Sequence, residues 1–186
     1  MVNIDIRNEI LPGDAPAIEA VTISAFLNAP HSGHNEQFIV RALRESGQLA
    51  VSLVAVAEGA QAEGSVIGHV AASPVSLSEG TPGWCGIGPI SVLPAYQGRG
   101  VGARLMREAL RILRENGAAG CVVLGEPAYY GRFGFLADPA LVFPGVPQEY
   151  FQALSFGSSI PRAVVSYHAA FGRRTERTLP LDPPPQ

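Results

Sequence analysis

The chain contains no lysine: all 13 of its basic residues are arginine. That excludes a Walker-A lysine, a Schiff-base lysine and any modification of its own lysine side chains. Cysteine is scarce. The two present, Cys85 and Cys121, sit in apolar stretches, which predicts reduced, buried thiols rather than a disulfide framework or a nucleophile. His31, His34, His69 and His168 show neither HExxH nor paired Cys/His spacing, so no metal site is expected. Long hydrophobic runs are missing too, since the longest, residues 49–57, reaches about half of the ~20 residues that span a bilayer. No basic segment precedes an apolar core at the start of the chain, so no signal peptide is expected and the cytoplasm is the expected setting. Nor is there an excess of positive charge. With 13 basic against 16 acidic residues the net charge is −3, which argues against a nucleic-acid partner.

What is present is enough for a core: 47% of the 186 residues are hydrophobic and 16% charged, the balance of one globular domain. Ile4, Ile6 and Ile10 belong to a short alternating strand. Asp14 is expected as a helix N-cap with Pro16 just inside, and Ile18, Val21, Thr22, Ala25 and Phe26 recur at helical spacing. A second amphipathic helix carries Phe38, Ile39, Ala42 and Leu43 on one face and ends at Gly47. Residues 49–57 and 66–75 read as a hairpin joined by the polar loop 58–65, and 84–93 as a further extended segment closed by Pro94. A helix over 101–116 turns Val101, Leu105, Ala109, Ile112 and Leu113 inward and Arg104, Arg107, Arg111 and Arg114 to solvent. Then come a strand at 121–124, a short helix or turn at 127–133, a strand, a short helix at 149–154 and a strand at 163–169. The fold class is α/β with a mixed sheet: one domain over 1–171 and a proline-rich tail over 172–186.

The informative segment runs from Ile90 through Pro94 to Gly98-Arg-Gly100-Val-Gly102-Ala-Arg104. Three alternating glycines between a strand and a helix let the backbone curl tightly and leave successive amides uncovered. Those amides and the helix dipole form an anion site of pyrophosphate size, with Arg99 and Arg104 adding charge beside it. A dinucleotide is one candidate ligand, because Gly98-x-Gly100-x-x-Ala103 satisfies the Rossmann fingerprint and Glu126 follows roughly 20 residues later. Context weakens that reading. Pro94-Ala-Tyr-Gln separates the strand from the first glycine, and the 60 residues after Glu126 cannot supply a second parallel half.

Coenzyme A is the other candidate. Gln97-x-x-Gly100-x-Gly102 after Val92-Leu-Pro94 resembles the signature of the GNAT superfamily of N-acetyltransferases. Tyr130-Gly-Arg-Phe-Gly134-Phe135 resembles the Tyr-x-x-x-Gly-Phe of the same family, about 30 residues downstream. The phrase from Pro127 to Phe135 further resembles a YhbS-like bacterial branch, and the element order agrees over roughly residues 4–171.

The resemblance implies a mostly antiparallel sheet flanked by helices, with a parallel strand pair that starts together and splays apart. It implies acetyl-CoA as acyl donor, held at its pyrophosphate by Gly98, Arg99, Gly100, Val101, Gly102 and Ala103. Ile90, Ser91 and Val92 would pair with the pantetheine arm, and a strand amide would stabilise the oxyanion. Tyr130, with Tyr129 as its adjacent competitor, would be the general acid to the departing thiolate. The implied reaction is direct transfer to a primary amine, small molecule or peptide, without a metal or a membrane; a homodimer is compatible with the family. The family's strand glutamate is missing, because residues 84–93 hold no carboxylate. The base therefore stays open among Glu126, His69, Glu36, His34 and water.

Overall fold

The computed structural model describes residues 3–29, 33–58, 65–157 and 159–172. Most of the expected hairpin loop, His31 and the tail from 173 onward lie outside the described residues. In chain order the elements are β1 (Asn3–Asn8), α1 (Ala15–Phe26), α2 (Glu36–Glu45), β2 (Val51–Glu58), β3 (Ser65–Pro74) and β4 (Ser76–Leu77). They continue with β5 (Trp84–Val92), α3 (Val101–Glu115), β6 (Gly120–Leu124), α4 (Pro127–Tyr130), β7 (Leu141–Val142), β8 (Phe151–Ser155) and β9 (Ala163–Ser166). Six strands form one sheet in the order β1-β2-β3-β5-β6-β8, and β4-β9-β7 form a small second one. Every pairing in the larger sheet is antiparallel except β5 with β6. The mixed α/β architecture expected from the sequence is therefore present, and a doubly wound parallel sheet is not.

The apolar run of β2 is buried on both faces because helices cover both. Val54 and Val56 pack with Ile18 and Val21 of α1 and Val40 of α2. Leu53, Ala55 and Ala57 pack on the other side with Leu105, Met106 and Ala109 of α3. Helix α3 buries Val101, Leu105, Ala109 and Leu113 as its periodicity predicts, while Arg104, Arg107, Arg111 and Arg114 form the exposed stripe. It closes in a Schellman turn, with Ala118 N–H bonded to the Leu113 carbonyl and Gly117 N–H to that of Arg114, Gly117 taking φ +78°.

Three expectations are corrected. Asp14 is at the start of α1, but its carboxylate makes no cap bond to that helix. It turns back to accept from Ile10 N at 2.7 Å and from Arg7 at 2.6 Å, which holds its pKa below the ordinary carboxylate value. Phe38, expected on the inner face of α2, is exposed. Residues 149–154 are not a helix: a single 3-10 turn at Gln148–Tyr150 leads directly into β8, whose partner is β6.

Candidate active site

Strand β5 pairs with β6 only at Trp84–Gly120, Cys85–Cys121 and Gly86–Val122, although it runs on to Val92. The parting has a local cause. Between Ile87, opposite Ala72, and Ile90, opposite Val70, β5 inserts Gly88 and Pro89 against the single residue Ala71. Such a bulge bends its strand and deepens the twist, here carrying β5 away from β6. The second half of β5 is thus bonded to β3 alone and leaves a row of peptide groups along an open gap.

Which groups face the gap follows from antiparallel alternation. Leu93 N–H bonds to the Ile67 carbonyl on β3, whereas the Val92 carbonyl accepts from the Gln97 side chain at 3.0 Å. By that alternation Val92 and Ile90 direct their peptide groups into the gap. Ser91, between them, directs its own toward His69 on β3 and its side chain toward Thr22 of α1, 3.4 Å away.

Two cavities lie at the ends of this gap. The first, about 320 Å³, is formed at the glycine turn by Gly98, Gly100, Val101, Gly102 and Ala103, with Val92, Tyr129 and Arg132 opposite. Gly98 and Gly100 take φ of +71° and +79°, the left-handed conformation that favours glycine, and turn the chain into α3. A Cβ on Gly102 would sit 2.8 Å from the Tyr129 hydroxyl, so the absence of that carbon is what admits the phenol. Arg132 lies over the Tyr129 ring, 4.3 Å from its centroid, and donates from Nε to the Tyr129 carbonyl at 2.9 Å. The two expected arginines are placed differently: Arg99 rests over the Tyr96 ring and Arg104 donates to the Ile4 carbonyl at 2.7 Å. Arg132 is the cation that lines the turn. Its signal was available inside Tyr130-Gly-Arg132-Phe, two positions after the tyrosine that drew attention.

The second cavity, about 460 Å³, opens at the other end, over Ile87, Gly88, Pro89 and Ile90 of β5 and Leu124 of β6. Tyr130 forms part of its wall. Its ring fills the space above Gly125, where a Cβ would come within 2.5 Å, and meets Phe135 edge-on at 6.0 Å. This explains the motif physically: Gly134, at φ +94°, turns the chain so that Phe135 becomes a buried support for Tyr130. Burial, with Tyr129 alongside, pushes the Tyr130 phenol up to about 12. It is therefore a neutral hydrogen-bond donor at neutral pH.

Of the four base candidates, Glu36 alone lines this cavity. Glu126 is exposed at the start of α4, and His34 is exposed with φ +52°. His69 is buried beneath α1, its Nε2 2.9 Å from the Ser52 hydroxyl; burial pushes it down to about 4. It cannot serve as an effective proton acceptor at neutral pH. The cysteines are free, and burial raises both thiols, so neither is a ready nucleophile. Among the described residues no group of side chains could hold a metal ion, and no helix is long and apolar enough to cross a membrane.

A profile of the acetyltransferase (GNAT) family matches residues 20–135. The chain belongs to that family. The uncharacterized N-acetyltransferase YhbS of Escherichia coli K12 is 39% identical to it over 175 residues, covering 90% of this chain and 98% of that one. A GNAT family acetyltransferase from Brucella melitensis, solved in complex with acetyl-CoA, is 46% identical, with a TM-score of 0.78 over 91% of this chain and 98% of that one. The structure of E. coli YhbS in complex with CoA gives a TM-score of 0.81 at 36% identity, over 93% and 94%. These findings bear out the family drawn from the Gln97 and Tyr130 motifs, together with its splayed parallel pair.

Proposed function

We propose that this GNAT protein transfers an acetyl group from acetyl-CoA to a primary amine in a ternary complex. In this reading residues 1–171 are the catalytic domain, acting in the cytoplasm. The carrying observation is the gap itself, with a glycine-lined cavity at one end and a Tyr130-walled cavity at the other. Gly98, Gly100, Gly102 and Ala103 would receive the pyrophosphate, with Arg132 and the Tyr129 hydroxyl facing it. The pantetheine arm would run along Ile90 and Val92, which leaves the thioester beside Tyr130. The acetyl-CoA and CoA carried by the two relatives support the same ligand here.

The amine enters uncharged and its nitrogen attacks the thioester carbonyl. A gap-facing amide of β5 receives the resulting oxyanion, which costs no reorganisation because the strand already holds it in position. On collapse the carbon–sulfur bond breaks with the Tyr130 hydroxyl hydrogen-bonded to the departing sulfur, and the proton that the nitrogen gives up ends on the thiolate. The net proton movement is from nitrogen to sulfur. A phenol at about 12 is a weaker acid than an ordinary thiol, so Tyr130 acts mainly by hydrogen bonding to sulfur as its charge develops.

Calorimetric titration with acetyl-CoA, NAD and NADP is the test. One-to-one binding of acetyl-CoA alone is expected. Binding of a nicotinamide dinucleotide, or of none of the three, overturns the reading.

A further inference from the structure

Resting on that reading, we propose that the Tyr167 ring is the stop that holds the donor to acetyl, by closing the end of the gap at which the acyl group points. With pantetheine along Val92 and Ile90, the acyl end is directed past the bulge toward the last β5–β6 pair, Gly86 with Val122. Gly86 has no side chain to fill the space beside it, so a slot for a longer acyl chain would open there. The Tyr167 ring takes that space instead. A Cβ on Gly86 would collide with Tyr167 Cε1, and it would stand 3.1 Å from Val75 Cγ1. The same ring lines the cavity together with Ile87, Gly88, Pro89 and Tyr130, so it is both the plug of the slot and part of the wall the thioester meets.

A stop must resist being pushed aside, and this ring is held on several sides. Tyr167 follows β9 directly and packs on the buried cluster that contains Val75, Trp84 and Val122. It meets Phe143 at 5.1 Å and Phe171 at 4.9 Å between ring centroids. Rotating it out of the slot would disturb that packing, and close-packed interiors do not yield to added methylenes without strain. Glycine at 86 and tyrosine at 167 are therefore one device: the first makes room and the second fills it. Against a closed apolar pocket of this kind, one methylene changes selectivity by about 10–200-fold.

The test is calorimetry of the full chain with CoA, acetyl-CoA and butyryl-CoA, which needs no acceptor. The wild-type protein should bind butyryl-CoA at least about tenfold more weakly than acetyl-CoA. Tyr167→Leu removes the outer edge of the ring and should bring the two within about threefold. Its Kd for CoA, which has no acyl group, should stay within about twofold and so report that the variant folds. If that check fails, Val75→Ala, which widens the same slot, takes its place. Tyr167→Phe keeps the ring and should keep the wild-type ratio. Adding Gly86→Ala to Tyr167→Leu puts a methyl into the vacated slot and should restore the penalty on butyryl-CoA, an effect that a merely structural role for Tyr167 would not produce. Equal binding of the two thioesters by the wild type, or a penalty that Tyr167→Leu leaves unmoved, overturns the inference and leaves acetyl transfer standing. Loss of the penalty in Tyr167→Phe assigns the selection to the hydroxyl and overturns the ring as the stop. Failure of CoA and acetyl-CoA alike to bind the wild type overturns the transferase reading and the inference with it.

Discussion

Tyr129 and Tyr130 are neighbours in the chain, yet they serve opposite ends of the gap. Tyr129 leans over Gly102 at the glycine turn, and Tyr130 walls the cavity where the amine is proposed to arrive. Tyr130→Phe is therefore expected to lower kcat about 10²-fold, the scale of a lost general acid, with acetyl-CoA Kd unchanged. Steady-state kinetics beside calorimetry checks this, and equal losses in both would assign Tyr130 to binding. Because its phenol titrates only at about 12, the wild-type rate should rise as the amine deprotonates and show no alkaline decline up to about pH 10. A fall between pH 8 and 10 would require another acid. At this scale the sequence was partly legible. Tyr130 was marked by its offset from Gly134 and Phe135, and Glu36 stood among four base candidates. Position was needed to separate them, because only the fold shows that Glu36 lines the cavity and that His69 is buried beneath α1. Tyr167 and Phe171 carried no mark, since a second sheet formed by distant segments brings them to the cavity.

At the scale of elements, the glycine turn and α3 were readable because both are local. A phased apolar stripe gave the helix, and Gly98 and Gly100 gave the left-handed entry into it. The bulge at Gly88-Pro89 was not readable, because it exists only relative to β3. The same reason accounts for β8: Gln152, Ala153 and Leu154 are good helix formers, but pairing with β6 decides their conformation. Gly102→Ala tests the turn at this level. Alanine suits a helix better than glycine, so the melting temperature should hold or rise. Its methyl would displace the Tyr129 hydroxyl, so acetyl-CoA affinity should fall about tenfold. Combining it with Tyr129→Phe should give a loss smaller than the sum. Full additivity would separate the two residues.

For the whole molecule, the buried polar cluster between the sheet and helices α1 and α2 sets a pH limit. Burial is the main cause that holds His69 at about 4; Glu9 opposes the shift and Arg44 adds to it. Glu9 and Arg44 form a largely buried pair at 2.7 Å. Burial raises the Glu9 carboxylate, but hydrogen bonds from Arg44 and Ser52 outweigh this and leave it lowered. The unfolded chain takes up a proton on His69 near pH 6.5 and the folded protein only near 4, so stability is full above 6.5 and declines as pH falls. The decline amounts to about 3 kcal/mol from this residue. Denaturant unfolding at pH 7 and pH 4.5 should show most of it, and His69→Gln should flatten the curve in that window. An unchanged slope would place the acid sensitivity elsewhere, with Glu9 the next group to examine.

The parting of β5 from β6 gives the molecule a free strand edge in the middle of its sheet. Edges of this kind are normally blunted or covered, because they template pairing with other chains. Here the covering piece would be acetyl-CoA, so the donor acts as a removable strand and the unloaded protein is the form at risk of self-association. Amide exchange should register this in an alternating pattern. Ile90 and Val92 N–H, which face the gap, should slow on CoA loading, while Ser91 N–H, already bonded to β3, should not change.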